Sequence, residues 1–406
     1  MNKKTEVIII GGGAAGFFAA INMAESNPDL KVTILEKSSK VLQKVKVSGG
    51  GRCNVTHACF DPKELIEYYP RGKKELLGPF HSFMTGDTME WFEQRGIPLK
   101  IEDDMRMFPE SNSSQTIIDC FLSNADKAGV RVLFNQNVLL IQKASDQFII
   151  ETKSDHFKAD KLLITTGGNA KMWGILNQLG HQIIAAVPSL FTFNIKDPIL
   201  SDIPGISVPN ALVSVDDGHY ESSGPLLITH WGLSGPAVLK LSSLAAIKLA
   251  KLGYHFTVFV NWLNRSDIEV LDHLKQYKIH APKKNVLLKS PFEDIPKRLW
   301  SKFISTSEIT GNENWSDLSN KQLDQLAKKL TNTKFSSHGK TTFKEEFVTA
   351  GGVDLKEINF KRFESRLHPN LFFAGEVLNI DGLTGGFNFQ NAWTGGFLAA
   401  KAIAKG

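Results

Sequence analysis

Apolar positions open the chain as a short unbroken run, Val7 to Ile10, with charge before it and glycine after it. That is the pattern of a strand buried on both faces of a parallel sheet. Gly11, Gly13 and Gly16 follow in G-x-G-x-x-G spacing, Ala14 to Glu25 reads as a helix, and Lys31 to Leu35 as a second strand ending at Glu36. Each glycine has a purpose. Gly11 lets the chain leave the strand sharply, Gly13 lets backbone N–H groups reach a pyrophosphate, and Gly16 lets the helix lie close on the sheet. With Ala14 and Ala15, the helix N-terminus adds unpaired N–H groups and the positive end of a dipole. Glu36 is 20 residues beyond Gly16, placed to accept from ribose hydroxyls and to repel a 2′-phosphate. A βα turn without ligand is the alternative for the triplet alone. Strand, glycines, helix, strand and acid in order favour a dinucleotide lacking a 2′-phosphate.

Farther along, Val47 to Thr56 carries too many glycines for a helix and reads as an ordered loop. Gly49, Gly50 and Gly51 expose successive N–H groups beside the donor fork of Arg52, which suits a diphosphate or a ring edge. A surface loop with one exposed Arg is the other reading. Helical patterns follow at Pro62 to Tyr69, Asp87 to Gln94 and Thr116 to Lys127, and strands at Val130 to Phe134, Val138 to Ile141, Phe148 to Thr152 and Lys161 to Thr165. From Pro188 to Tyr254 prolines recur among short β-rich runs such as Leu212 to Val215 and Leu226 to Thr229, the mark of an inserted β-domain; His255 to Trp262 continues it. Asp267 to Lys329 is charged and helical in pattern, with Phe292, Trp300, Phe303 and Trp315 expected as its own core. Leu371 to Ala374 returns as a buried strand, and Gly385-Gly386 opens a final helix reaching about Ala404. Its N-terminus is a second place where backbone donors can meet an anion.

Composition adds limits. A chain of 406 residues exceeds one typical core. A net charge of +5, from 47 basic and 42 acidic residues without a long basic run, argues for no nucleic-acid partner. Cys53, Cys59 and Cys120 form no CxxC pair, so no thiolate metal site or redox disulfide is signalled, and few cysteines suit a reducing cytoplasm. No apolar run is long enough for a membrane span. The basic opening before Val7 superficially resembles a signal peptide, but Glu6 and the glycines break that pattern. No second complete glycine fingerprint supports a dedicated nicotinamide domain.

Four further stretches are more specific than the triplet: SGGGRCNVT (Ser48 to Thr56), THWGLSGPAVL (Thr229 to Leu239), TAGGVDLKEI (Thr349 to Ile358) and AGEVLNIDGLTGGFNFQNAWTGG (Ala374 to Gly396). With the N-terminal unit they cover nearly the whole chain, which resembles the aminoacetone-oxidase-type family of bacterial FAD-binding proteins. These are two-dinucleotide-binding flavoproteins, and the family also includes bile-acid double-bond reductases. The resemblance implies an α/β fold, a Rossmann-like FAD-binding domain with an inserted β-barrel-like domain and a small helical subdomain. The expected divisions are 1–187 and 359–406 for the FAD domain, 188–264 and 333–358 for the β-domain, and 265–332 for the helical subdomain.

The resemblance also implies roles. Gly11 to Gly16 would hold the pyrophosphate, Glu36 with Lys37 the adenine ribose, and Val138 the adenine. Gly50, Gly51, Arg52, Cys53 and Asn54 would lie along the flavin. Gly375 and Glu376 would sit by the ribityl chain and phosphate, and Thr166, Gly167, Gly168 and Asp381 would also belong to the cofactor site. Gly386, Phe387, Asn388 and Phe389 would bring N–H groups to the pyrimidine end of the isoalloxazine. His230 and Arg52 are the side-chain candidates for catalysis; a structural histidine tying a strand end to a loop is the stronger alternative for His230. Trp231 is a further side-chain candidate beside His230, Trp393 is read as a cavity residue with packing in the helix as the stronger alternative, and Cys53 as a buried filler. Asn379 stands where an acid is usual, the loop after Gly168 is shortened to NAKMWGILNQLGH, and Asp104-Met105 replaces a common glycine. The implied function is FAD-dependent oxidation of an amine or reduction of a conjugated double bond in a small molecule, with NAD(P)H as a transient electron donor. The alternative is a flavin-binding protein without turnover, a sensor or assembly partner. A cytoplasmic protein without metal, nucleic-acid or membrane partners is expected.

Overall fold

The computed structural model describes residues 4–341 and 348–405. The start of the basic opening and part of the expected return stretch, 342–347, lie outside the described residues. The chain divides into two compact units, one of 1–187 with 348–406 and one of 188–347.

The first unit is built on a seven-stranded sheet. Five of its strands run parallel: Arg131–Leu133, Leu30–Leu35 (β2), Thr5–Ile10 (β1), Lys161–Ile164 and Leu371–Phe373, in that spatial order. Val7 to Ile10 are almost wholly buried, as the unbroken apolar run required. The helix Ala14–Ser26 (α1) packs against the final helix, Phe387–Lys405, through small residues. A Cβ on Gly396 would lie 3.1 Å from the Ala15 carbonyl oxygen. Two long-range bonds fix the end of that final helix: Lys161 Nζ donates to the Ile403 carbonyl at 2.8 Å, and Asn27 Nδ2 to the Ala404 carbonyl at 3.0 Å. The two ends of the chain therefore share one core.

The second unit holds a closed six-stranded barrel of Thr192–Ile195, Gly232–Ser234, Tyr220–Thr229, Ser207–Val215, His255–Asn261 and Thr333–Thr341. Closure leaves no unpaired sheet edge. Helices Asp267–His280, Lys297–Ser305 and Asn320–Thr331 follow within it. Phe292, Trp300, Phe303 and Trp315 are buried, and they belong to one cluster with barrel residues such as Trp262 and Phe335. The helical part is thus not a separate core.

Some elements differ from the pattern reading. Gln43 opens a helical turn before the glycine loop. Two helices, Pro236–Leu244 and Ala246–Lys251, lie inside the stretch read as all β. Gly235, at φ +91°, turns the chain so that Pro236 starts a helix, where its missing N–H costs nothing. The segment expected to return through the β-domain also divides: Thr333–Thr341 closes the barrel, whereas Val348–Val353 groups with the first unit.

Candidate active site

The glycine turn has the geometry its spacing requires. Gly11 lies at φ +115°, and a Cβ there would come within 2.6 Å of the Thr165 carbonyl oxygen. A Cβ on Gly16 would sit 2.1 Å from the Gly11 carbonyl oxygen, so only glycine lets α1 approach the sheet this closely. Gly13 is different: a Cβ there would meet no atom within 4 Å. Its glycine is not explained by packing against protein, and the space beside it adjoins the first N–H groups of α1.

Glu36 is held rather than loose. Its Oε2 accepts from Gly12 N at 2.9 Å, and its Oε1 accepts from Ser38 N and Ser38 Oγ, both at 2.9 Å. Gln136 N donates to the Glu36 carbonyl at 2.8 Å, which brings the approach to Val138 alongside the acid. Lys37 is exposed next to it.

The loop after Gln43 bends at Ser48, Gly49 and Gly50, where the backbone leaves the helix. Gly49, Gly50 and Gly51 all have positive φ, and at Gly50 and Gly51 a Cβ would again meet nothing within 4 Å. Arg52 is not a free donor fork. Its Nη1 bonds Glu102 Oε1 at 2.6 Å, and its guanidinium lies 3.9 Å from the centre of the Phe108 ring. Cys53 is fully buried, and burial pushes its thiol up to about 12. Asn54 is buried, with its Oδ1 accepting no hydrogen bond from the described residues.

The final helix meets this loop. A Cβ on Gly386 would lie 2.6 Å from the Thr56 carbonyl carbon. Trp393 is wholly buried, and its Nε1 donates to the Val55 carbonyl at 2.9 Å, pinning the loop to the helix. Gln390 Oε1 accepts from Thr56 Oγ1 at 2.6 Å and from Thr88 Oγ1 at 3.0 Å. The Asn388 amide closes on the Gly382 backbone in both directions, at 2.8 and 3.1 Å. Phe389 is stacked on Trp393. Asp381, expected at the cofactor, is wholly buried and commits both carboxylate oxygens to Arg71. At the sheet's carboxyl edge, Gly375 lies at φ +77° with a Cβ there 3.5 Å from Ala15 Cβ and 3.9 Å from Ala392 Cβ, Glu376 pairs with Lys44, and Gly167 faces the Glu376 carboxylate. Thr166 and Gly168 flank Gly167, and a Cβ on Gly168 would lie 3.2 Å from Thr349 Oγ1.

Residues that the sequence did not single out gather at the same helix start. Tyr68 is stacked on Phe387 at 4.2 Å with 11° between the planes, and His57 stacks on the same ring at 4.6 Å. Tyr69 Oη donates to the Phe387 carbonyl at 2.6 Å. Burial, then the nearby Cys59 and Glu64, raise the Tyr68 phenol above its usual range. Only the doubled tyrosine, 318 residues before the carbonyl that Tyr69 meets, hinted at this cluster.

The three departures have structural counterparts. Met105 adopts φ +65°, a conformation suited to glycine. The shortened loop becomes a helix, Ala170–Gln178, capped by Asn169 Oδ1, and Trp173 Nε1 donates to the Val377 carbonyl at 2.9 Å. Asn379 keeps its buried Oδ1 without a hydrogen bond among the described residues. His230 and Trp231 lie in the second unit, at the turn between barrel strands Tyr220–Thr229 and Gly232–Ser234, and Trp231 is 51% exposed.

In the first unit, the open faces of Gly13, Gly50 and Gly51, the tethered Glu36 and the unpaired buried Asn54 Oδ1 fit an extended dinucleotide such as FAD. Gly13 would admit the pyrophosphate, and the glycine loop and final-helix N-terminus would border a flat ring system.

Comparison with known proteins agrees. The family model described as HI0933-like protein Rossmann domain matches residues 5–402. The ribosomal RNA dihydrouridine synthase of Haemophilus influenzae is 28% identical over 100% of both chains. The 3-dehydro-bile acid delta(4,6)-reductase of Clostridium scindens is 28% identical over 98% of each. Among solved structures, a 3-ketosteroid-delta4-(5alpha)-dehydrogenase from Rhodococcus jostii RHA1 aligns with a TM-score of 0.50 over 98% of both chains at 12% identity, a likeness of fold.

Proposed function

We infer that this chain, which belongs to the family of HI0933-like Rossmann-domain proteins, is an FAD-dependent oxidoreductase that saturates a carbon–carbon double bond conjugated to a carbonyl. The observation that carries the cofactor is the open space at Gly13, Gly50 and Gly51 beside a fixed Glu36. The reaction follows from chemistry common to two relatives' names. Making dihydrouridine and reducing a Δ4,6 bile acid both add hydrogen across an alkene whose electrons a carbonyl withdraws. Amine oxidation has no comparable support. The finer substrate we propose is the uracil ring of a uridine in RNA, a reading that departs from the expectation of no nucleic-acid partner; a cytoplasmic setting fits that substrate. No described helix is long and apolar enough to cross a membrane.

When bound, reduced FAD would supply hydride-transfer chemistry for the β-carbon, with NAD(P)H as the proposed source of its electrons. The chain's own residues do the rest. N–H groups of Gly386 to Phe389, at the start of the final helix, are the proposed donors to the pyrimidine end of the flavin, where they would favour negative charge. The Trp393–Val55 bond and the Gln390–Thr56 bond hold the loop against that helix, so the ring-binding surface is set before substrate arrives. Tyr68 is the proposed proton source for the α-carbon. Its ring is stacked on Phe387, and Oη carries a proton at neutral pH as an ordinary phenol does, burial moving its pKa farther upward. Arg52 is assigned to positioning, because Glu102 and Phe108 already occupy its guanidinium.

The test uses the purified holoprotein, reduced anaerobically with NAD(P)H and given ribosomal RNA from cells lacking the gene. Mass spectrometry of the digested nucleosides is expected to find uridine that has gained two hydrogens. A small cyclic enone serves as the parallel substrate. Turnover of the enone alone would refute the RNA substrate, and reaction with neither would refute the reductase reading.

A further inference from the structure

We propose that the lysine-rich side of the helical segment in the second unit is a docking surface for the RNA phosphate backbone, a proposal that rests on the RNA reading above. From His273 to Phe292 there is no Asp or Glu, whereas Lys275, Lys278, Lys283, Lys284 and Lys289 all fall there. This concentration is invisible in the net charge of +5 over the whole chain. The stretch covers the second half of helix Asp267–His280 and the connection leading toward helix Lys297–Ser305. Lys283, Lys284 and Lys289 are exposed and have no carboxylate partner among the described residues; Lys275 likewise has none. Lys278 differs, since its ammonium donates to the Leu318 carbonyl. Of the neighbouring acids, Asp317 is occupied with the Asn314 N–H and Ser316 Oγ, Asp272 stands three positions before Lys275, and Glu293 and Asp294 bound the stretch after Phe292, so Lys283, Lys284 and Lys289 form its uncompensated part.

The shape fits the charge. Lys275, Lys278, Ile279, Pro282, Ser316 and Asn320 line an open cavity of about 420 Å³. Ile279 is 69% exposed and Leu288 is 62% exposed, so apolar contacts alternate with ammonium groups. Free ammonium groups at varied spacing suit a flexible polyanion whose phosphates release counterions on binding. Hydroxyl and amide groups in the cavity suit ribose edges, and the exposed aliphatic side chains suit sugar or base faces. None of these lysines belongs to the flavin site in the first unit. Their contribution would be to affinity for a large substrate and not to the chemistry of the double bond.

The experiment compares the full-length holoprotein with a variant carrying Lys283→Glu, Lys284→Glu and Lys289→Glu. All three positions are exposed, so flavin content and melting temperature should match the parent. Binding to a ribosomal RNA fragment is measured across a salt series, and turnover is measured on both that RNA and a small cyclic enone. The expected variant binds RNA at least roughly tenfold more weakly, and its log–log salt dependence is shallower by about two to three. Its dihydrouridine yield at limiting RNA falls, and its enone rate is unchanged. Equal affinity and equal salt slope in parent and variant, with dihydrouridine still formed, would overturn the docking surface and leave the RNA reading standing. A parent that neither binds nor modifies RNA would overturn both. A parent that binds vesicles of anionic phospholipid through these lysines, and RNA independently of them, would overturn the assignment of the surface to RNA.

Discussion

Gly13→Val separates holding the cofactor from holding the fold. Gly13 has φ −95° and ψ −167°, extended backbone open to any L-residue, and its Cβ position is free of neighbours within 4 Å. Because Gly13 is also the N-cap of α1, where valine is less favourable than glycine, the substitution should cost the apoprotein about 1 kcal/mol or less. The valine methyls would fill the space through which α1 presents its first N–H groups. A hydrogen bond from backbone N–H to a charged phosphate oxygen contributes about 1.5–3 kcal/mol. Losing two would weaken FAD binding by ~3–6 kcal/mol, roughly 10²–10⁴-fold. Gly16→Ala is the contrast, because its Cβ would sit 2.1 Å from the Gly11 carbonyl oxygen and 2.8 Å from Thr165 Oγ1. The helix must shift, at a cost of about 1–3 kcal/mol to the fold itself. The assay pairs urea denaturation of the apoproteins with flavin released on heating the purified holoproteins. Gly13→Val is expected to stay near the parent's denaturation midpoint and lose its flavin; Gly16→Ala should lose both. Full FAD content in Gly13→Val would refute the placement of the pyrophosphate.

Other expectations follow from single contacts. Asp381→Asn leaves the Arg71 guanidinium buried without its countercharge and should cost about 3–5 kcal/mol by urea denaturation, whether or not flavin is bound. Trp393→Phe strands the Val55 carbonyl; a loss of about 1–3 kcal/mol is expected, with faster flavin dissociation as the loop loosens. His181 is wholly buried, and burial pulls its pKa below 6.5 against the opposing pull of Glu357. The folded state keeps it neutral while the unfolded state binds a proton, so this contribution is present above pH ~6.5 and is lost as pH falls from there through the lower folded-state pKa. His181→Gln should flatten the acid limb of a stability–pH curve. Burial raises all three thiols, with Cys53 at about 12 and Cys120 at about 11, so the native protein should alkylate slowly at mildly alkaline pH and the urea-unfolded chain rapidly at three sites.

What the pattern of residues disclosed was local. The apolar run at Val7, the glycine spacing and Glu36 act over one βαβ unit, and their geometry is dictated by neighbours in sequence. The inserted β-domain was legible because its strands alternate between turn residues, but the barrel's closure by Thr333–Thr341 joins strands far apart. Helix Pro236–Leu244 was hidden by its proline, which begins the helix instead of breaking it. The commitments of Arg52 to Glu102 and of Asp381 to Arg71 depend on partners 50 and 310 residues away. Such pairings leave no periodic trace, so a free donor and a free acceptor were the natural readings. Tyr68 escaped notice for the same reason, since its significance comes only from Phe387 beneath it.

The splitting of the first unit also bears on how the protein is made. Leu371–Phe373 joins the parallel sheet only after the inserted unit has been made, and the helix that covers α1 follows it in the chain. The contiguous barrel unit emerges long before its host can close, so it should mature first while the opening βαβ segment waits for its lid. Nascent chains stalled after Asn370 ought to carry a protease-resistant middle and a digestible beginning, and removal of the helix Phe387–Lys405 should cost the host unit its shape.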